Sequence, residues 1–227
     1  MTIEKFNDFI FEKFNGVVQD GIFKNLKFKI NRLGLHSKIL GIYENQLQMY
    51  IKDAINKKPN LIINIGCGDG YYGLGIANIL KESKCILVDT NKSELQSAEQ
   101  NAQANNLLNV EFKLNIEDEE INELCSSNDK SFIIIDAEGW EINLLDHEKF
   151  NQFQNASLLI ECHDFIHKNI TNNLINKFLF SHKIFVIDDC KKSIMFDFLD
   201  FLTLEDKLFI QSEGRPTAMK WLYMSPK

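Results

Sequence analysis

The chain has 227 residues, 44% of them hydrophobic, and its 32 acidic and 25 basic side chains give a net charge of −7. This composition predicts a soluble globular protein, and the acidic balance argues against nucleic acid or an anionic membrane surface as a partner. The five cysteines show no C-x-x-C spacing, which favours reduced thiols over a zinc site or disulfides. With no signal-like N-terminus and no apolar stretch near ~20 residues, we expect a cytoplasmic protein that does not span a membrane.

The N-terminal residues 1–58 are predicted to form a helical extension, or cap, ahead of a main domain at residues 59–227. An apolar stripe at helical spacing predicts one helix, and a second is expected from about Glu44 to Lys57, where Pro59 ends it. We expect the first helix to dock on the core, with a lid or a homodimer contact as alternatives. Its stripe consists of Ile3, Phe6, Phe9, Ile10 and Phe14.

From Leu61 onward, short apolar strands alternate with helices, a pattern typical of a doubly wound, mostly parallel α/β sheet. Helices are expected at Asn91–Asn106, opened by Asn91 and Glu94 as an N-cap pair, at Asn169–Ser181, and from Thr203 toward Asp206. The predicted strands are Leu61–Ile65, Cys85–Asp89, Val110–Leu114, Phe132–Asp136, Leu158–Cys162, Lys183–Asp188 and Ala218–Pro226.

The segment LIINIGCGDGYYGLGIA, residues 61–77, is rich in glycine directly after a strand, where a polar ligand can approach the backbone closely. The dinucleotide fingerprint is formally present from Gly68 to Gly73. However, counting from Gly66, the first glycine after the strand, puts Tyr71 where the third glycine should stand. The pattern N-I-G-C-G-D-G instead resembles the first motif of class I S-adenosylmethionine (SAM) methyltransferases. The cofactor loop predicted from it consists of Asn64, Gly66, Cys67, Gly68, Asp69, Gly70 and Tyr71.

Two further strand ends are expected to complete the cofactor site. Asp89 closes the second strand, where a carboxylate would accept hydrogen bonds from both ribose hydroxyls of SAM or of NAD. The third strand is followed by Asn115 and Ile116, in the region that usually forms the wall of the adenine pocket in class I enzymes. Ile116 would pack on the ring, and Asn115 or Glu117 would reach its edge.

Two later apolar strands end in carboxylates, at Asp136 and Glu138 and at Glu161, and we expect these to share one crevice with the glycine loop. The segments INIGCGDGYYGLGIA, IIIDAEGWE and LLIECHDF together resemble the FkbM-type branch of the SAM-dependent methyltransferases. The resemblance covers roughly residues 41–162, and its most specific part is the I-D-x-E-G-x-E segment. It implies a Rossmann-like fold of seven strands with the last strand antiparallel, and O-methylation of sugars or other small molecules.

Three chemistries for the acceptor site stay open at this stage. His163 follows the fifth strand and is the best candidate for a general base toward a hydroxyl acceptor, beside Glu161, Asp136 and Glu138. Alternatively, Asp136 and Glu161, with Glu138 or His163, could hold Mg²⁺ that binds the deprotonated acceptor. An acidic crevice would also attract an amine, which makes N-methylation the third chemistry. Asp136 is expected to face the cofactor as well.

Two rival functional classes share the glycine loop. An NAD(P)-dependent oxidoreductase is disfavoured by the register of the glycines and by the lack of a Tyr-x-x-x-Lys proton donor. A non-catalytic nucleotide-sensing domain would leave the clustered carboxylates without a purpose. Glu44 is interpreted as a solvated helix carboxylate, while Arg215 could clamp a carboxylate of the substrate or the cofactor, or pair with surface acids. Trp140 could form an apolar wall of the pocket, but aromatic residues at such positions usually belong to the core.

Overall fold

A computed structural model describes residues 2–32, 34–128, 130–139, 141, 153–188, 203, 204, 207 and 219–227. Within them lies a seven-stranded, mostly parallel sheet with intervening helices, which confirms the predicted fold class. The strands are β1 Leu61–Ile65, β2 Lys84–Val88, β3 Val110–Lys113, β4 Ser131–Ile135, β5 Ala156–Cys162, β6 His182–Asp188 and β7 Lys220–Pro226. The helices are α1 Ile3–Phe14, α2 Leu35–Leu40, α3 Gln48–Asn56, α4 Tyr71–Ile79, α5 Lys92–Ala104, α6 Asp118–Ser126 and α7 Ile170–Phe178, and a 3₁₀ turn at Asn45–Leu47 precedes α3.

The sheet order is β3-β2-β1-β4-β5-β7-β6, and β7 runs antiparallel to both of its neighbours. The direction of winding changes between β1 and β4, the position at which open α/β sheets bind ligands. Ile65 is in register with Val88 of β2 on one side and with Ile135 of β4 on the other. These three strands therefore end at one level, and Asp89 and Asp136 follow on either side of Gly66.

The strand boundaries agree with the predicted ones to within two residues. Asp89 and Asp136 are predicted as the last residues of their strands, but each lies one residue beyond its strand, in the loop that follows. The backbone N–H of Asp136 still donates to the carbonyl of Ile65 at 3.0 Å, so the loop leaves the sheet only after that residue. Both carboxylates are thus carried by loops over the sheet edge.

The N-terminal extension packs on the same face of the sheet as α4 and α5. Phe6, Ile10 and Phe28 belong to one buried cluster with Leu74 and Ala98. The side chain of Asn105, just after α5, accepts from the N–H of Lys27 at 2.9 Å and donates to its carbonyl at 2.7 Å, which joins the extension to the main domain. The domain boundary after residue 58 stays a prediction.

Local details qualify two predicted features. Asn91 caps α5, with its side chain accepting from the N–H of Ser93 at 3.0 Å, but Glu94 pairs with Arg32 rather than completing the cap. The predicted helix start at Thr203–Asp206 falls largely outside the described residues, as do Trp140 and Arg215. Among the described helices, none combines the length and the apolar character required to cross a membrane.

Candidate functional site

The glycine loop between β1 and α4 passes very close to the loop after β4. Gly66 has φ +71°, and a Cβ atom on it would lie 1.7 Å from the backbone oxygen of Asp136. Gly68 has φ +52°, and a Cβ on it would meet no atom of the described residues within 4 Å apart from its chain neighbours. Glycine at position 66 is therefore required by the crossing of two backbones, whereas glycine at position 68 leaves open space for a ligand.

A cavity of about 670 Å³ opens at the carboxyl ends of β1, β2, β3 and β4. Its volume lies in the range of small-molecule and cofactor sites. The walls combine apolar side chains with a few carboxylates and amides, the composition expected for a nucleoside ligand. Among the described residues, those that line the cavity are Ile65, Gly66, Gly68, Val88, Asp89, Thr90, Asn91, Glu94, Asn115, Ile116, Asp136, Ala137 and Glu138.

Asp89 holds the glycine loop against the start of α5. One oxygen of its carboxylate, Oδ2, accepts from the backbone N–H of Gly68 at 2.8 Å, and Oδ1 accepts from the N–H of Asn91 at 2.8 Å. Each oxygen retains a lone pair that can accept from a ribose hydroxyl, so the carboxylate is fixed in place and still available to a ligand. Ile116 is buried, and Asn115 beside it donates to Glu117 at 2.5 Å.

Five residues of the predicted cofactor loop do not line this cavity. Asn64 accepts from the N–H of Gly73 at 3.1 Å, and burial raises the pKa of the Cys67 thiol far above its ordinary value. Tyr71 packs against Phe23 in an aromatic cluster, with ring centroids 5.1 Å apart. Gly70, with φ +88°, caps α4 and would place a Cβ 2.7 Å from Leu74, and Asp69 faces the extension. These residues shape the loop, and their contact with the cofactor stays a prediction.

A second cavity of about 420 Å³ adjoins the first at Gly68 and Glu94. Lys38 lies on its wall and donates to both carboxylate oxygens of Asp69 at 2.7 Å. Asn101 donates to the backbone carbonyl of Asp69 at 2.9 Å, so α5 supports the loop from the other side. Sequence reasoning missed Lys38 and Asn101, because nothing in their local patterns indicates contact with a loop that is distant in sequence.

A buried histidine and several carboxylates meet next to the first cavity. Nδ1 of His163 lies 2.7 Å from Oε1 of Glu141, and both side chains are almost fully buried. The same Oε1 accepts from the backbone N–H groups of Ala137 and Gly139, at 3.0 and 3.2 Å. With Nδ1–H donating to Glu141, the lone pair of Nε2 points into the cluster.

Nε2 of His163 lies 3.7 Å from an oxygen of each of three carboxylates, those of Asp136, Glu138 and Glu161. The structure thus brings together the four residues that the sequence predicted for the acceptor site. Glu141, which the sequence marked only as part of the I-D-x-E-G-x-E segment, is a fifth member. Its partnership with His163 spans 22 positions of the chain. We call these five residues the His163 cluster.

The pKa values in the His163 cluster follow from burial and from the neighbouring charges. Burial would lower the pKa of His163, but the hydrogen bond with Glu141 and the facing carboxylates outweigh it, so its pKa is raised. Burial would raise the pKa of Glu141, yet the bonds from His163 and the backbone hold it below its ordinary value. Burial, and then the carboxylate of Glu161, raise the pKa of Asp136 well above its ordinary value. Protons and other cations are therefore favoured in the cluster.

Glu44 departs from its interpretation as a solvated helix carboxylate. It is buried and precedes the 3₁₀ turn with φ 40°, a left-handed conformation that costs about 1 kcal/mol or more in a residue other than glycine. Its carboxylate accepts from Nε1 of Trp221 at 3.1 Å and from the hydroxyl of Tyr72. The charge of Glu44 also contributes to the raised pKa of Asp136, which places this residue near the His163 cluster.

Replacing Asp136 with asparagine is expected to raise the thermal unfolding midpoint of the ligand-free protein by roughly 3 °C at about pH 8. Because the pKa of Asp136 is raised in the folded state, its ionisation costs stability as pH rises from the unfolded pKa through the folded one. Asparagine keeps the shape and lacks the charge, so its advantage should shrink toward about pH 5. Thermal unfolding of both proteins at the two pH values measures this effect. A gain that does not depend on pH would contradict the assigned cause.

The fold and the first cavity define the class of protein. A Rossmann-like sheet with a glycine loop at its switch point and a carboxylate after β2 is an arrangement that binds nucleoside-containing cofactors. A family model described as a methyltransferase domain matches residues 56–219. The chain belongs to this methyltransferase family. The match confirms the predicted activity as a SAM-dependent methyltransferase.

Solved structures share this fold. The chain is similar to a precorrin-6y C5,15-methyltransferase from Geobacter metallireducens GS-15, with 11% identity and a TM-score of 0.51 over 79% of this chain and 88% of the other. It is also similar to an rRNA methylase from Streptococcus thermophilus, with 10% identity and a TM-score of 0.52 over 81% of this chain and 97% of the other. At these identities the likeness concerns the fold.

Proposed function

We propose that the protein is an FkbM-type enzyme that transfers the methyl group of SAM to a hydroxyl group of a small molecule, such as a sugar or glycan precursor. One observation carries this proposal. Asp136 and Glu138 line the cofactor cavity and also belong to the His163 cluster. A group that can remove or accept a proton therefore borders the place where the methyl group would lie.

The cavity walls suggest how the cofactor is held. Asp89 would accept from the ribose hydroxyls, Ile116 would pack on the adenine, and the open side of Gly68 would admit the methionyl end. The fit rests on the free space above Gly68 and on the carboxylate of Asp89, which the Gly68 and Asn91 N–H groups hold in place. SAM supplies a methyl group on a positively charged sulfur, which leaves as a neutral thioether.

The reaction is an in-line displacement in which positioning supplies much of the rate. The acceptor oxygen forms a bond to the methyl carbon while the carbon–sulfur bond breaks, and its electron pair stays on sulfur. The hydroxyl proton must leave before or during this step, and the His163 cluster is where this occurs. The buried Glu141 carboxylate fixes the orientation of the imidazole in that cluster.

The FkbM assignment is supported by the positions of three residues of the I-D-x-E-G-x-E segment. Asp136 borders the cavity, and Gly139, with φ +92°, turns the chain so that the carboxylate of Glu141 can bind His163. The net charge of −7 and the acidic cluster favour a small acceptor over a nucleic acid.

A screen of acceptors with SAM carrying an isotopically labelled methyl group tests this function. Matched pairs, each an alcohol and the corresponding amine on the same small-molecule scaffold, separate O-methylation from N-methylation. N-methylation is the second candidate, because carboxylates such as Asp136 and Glu138 would attract a protonated amine. We expect label on the oxygen of sugar-like acceptors. Label that appears only on the amines would overturn the hydroxyl assignment.

A further inference from the structure

We propose that Nε2 of His163, together with the carboxylates of Asp136, Glu138 and Glu161, binds a first-row divalent transition metal ion. The binding of the ion follows from the geometry of the His163 cluster alone. Its use in catalysis rests on the proposed function. This role makes His163 a metal ligand, in place of the general base predicted from the sequence.

The geometry of Nε2 is the first observation behind the proposal. The His163 side chain is 2% exposed, and at 3.7 Å its Nε2 is too far from all three carboxylate oxygens for a hydrogen bond. Ligand atoms about 2.1 Å from a common ion lie about 3.0 to 3.5 Å from one another. Small side-chain movements would therefore bring each of the three carboxylates to the distance from Nε2 at which the two can share a cation.

Unsatisfied buried oxygens are the second observation. Oδ1 of Asp136 and Oε2 of Glu141 are buried and have no hydrogen-bond partner in the described structure. An unpaired buried carboxylate oxygen is costly, and a bound cation would remove the cost at Asp136. Asp136 and His163 also belong to a group of side chains that could hold a metal ion, whose third member, Glu141, serves here as the partner of Nδ1.

Glu141 supplies the support that metal-binding histidines usually have. A histidine ligand generally donates its other ring N–H to a carboxylate, which fixes the tautomer and orients the ring. Glu141 is fully buried and holds Nδ1 of His163 at 2.7 Å, while two backbone N–H groups hold the carboxylate itself. The His163 side chain is therefore preorganised for binding through Nε2.

The donor set indicates the class of metal. Carboxylate oxygens suit Mg²⁺, Ca²⁺ and Mn²⁺, whereas imidazole favours transition metals over Mg²⁺. One imidazole with two or three carboxylates therefore selects Mn²⁺, Fe²⁺ or Zn²⁺. This differs from the Mg²⁺ considered on the sequence alone. Because Asp136 and Glu138 line the cofactor cavity, an ion held by them would bind the acceptor oxygen, whose proton is released to water before the methyl transfer.

Titration of chelator-treated protein with Mn²⁺ alone tests the inference, with free Mn²⁺ followed by electron paramagnetic resonance. Wild-type protein is expected to bind one ion per chain. Glu138→Gln changes a side chain that is 84% exposed and should weaken binding about tenfold or more without affecting the fold. Glu141→Gln should weaken it about 10- to 100-fold through the lost support of His163. The matched control is Glu119→Gln, an exposed glutamate on α6, which should bind as the wild type does.

Three results would overturn the proposal: no saturable binding of Mn²⁺, equal affinity of the wild type and Glu138→Gln, or Mg²⁺ binding as tight as that of Mn²⁺. Calorimetric titration of the same samples with S-adenosylhomocysteine keeps this failure distinct from failure of the proposed function. If the homocysteine product binds and Mn²⁺ does not, the metal site is refuted and the methyltransferase proposal stands. If the product does not bind, the proposed function fails whatever Mn²⁺ does.

Discussion

Replacing Gly66 with alanine is expected to destabilise the fold by about 3 kcal/mol or more and to abolish cofactor binding. The new Cβ would lie 1.7 Å from the backbone oxygen and 2.7 Å from the carbonyl carbon of Asp136. Neither atom can move alone, because Asp136 is joined to β1 by the bond from its N–H to Ile65. Relief of the clash must therefore separate the ends of β1 and β4, where the cavity lies. Urea denaturation measures the loss of stability.

Two other glycines serve as matched controls for Gly66→Ala. Gly34 has φ +87°, and among the described residues no atom other than its chain neighbours' lies within 4 Å of the position that a Cβ would take. Gly34→Ala should therefore cost only the left-handed conformation, about 1 kcal/mol. Gly68, with φ +52° and equally open space, lies on the cavity, so Gly68→Ala should have a similar stability cost and a clear loss of cofactor affinity. If Gly66→Ala is no less stable than Gly34→Ala, the crossing of the two loops is not as close as described.

Replacing Asp89 with asparagine is expected to weaken binding of S-adenosylhomocysteine by about 100-fold, or roughly 2.7 kcal/mol. The carboxylate accepts from the N–H groups of Gly68 and Asn91 and would also accept from two ribose hydroxyls. An amide has one acceptor oxygen, so its NH₂ group must face a donor at one of these places. Isothermal titration calorimetry measures the change in affinity.

The control for Asp89→Asn is Asp53→Asn, which removes a carboxylate paired with Lys57 and Tyr223 away from the cavity. It should bind S-adenosylhomocysteine as the wild type does. Thermal unfolding of Asp89→Asn separates loss of binding from loss of the fold, since Asp89 also holds the glycine loop. A folded Asp89→Asn variant that binds within a factor of about two of the wild type would refute the ribose-binding role.

Much of the fold could be predicted because parallel strands bring their carboxyl ends to one edge. Asp89, Asp136 and Glu161 each stand at or near the end of an apolar strand. The alternation of strands and helices predicts a parallel sheet, which places these three residues around one crevice. The glycine loop could also be predicted, because the close approach of two backbones requires glycine at position 66. Local sequence carries this information directly.

The remaining features depend on contacts between distant segments. Lys38 reaches Asp69 across 31 positions, and Glu44 meets Trp221 across 177, so no local pattern reveals that either side chain is needed at the site. Glu44 reads as a surface residue because its neighbours are polar, yet the buried donors of Tyr72 and Trp221 hold it inside. The role of Glu141 beside His163 is hidden for the same reason, since 22 positions of the chain separate the two residues.

Calorimetric titration of the purified protein with S-adenosylhomocysteine, with NAD and NADP run in parallel, tests the central claim most directly. The claim is that the cavity beside Gly68 and Asp89 holds SAM and places its methyl group near the His163 cluster. Saturable binding of S-adenosylhomocysteine alone, in the micromolar range and lost in Asp89→Asn, is the predicted result. Binding of a nicotinamide dinucleotide instead, or of none of the three compounds, would contradict it.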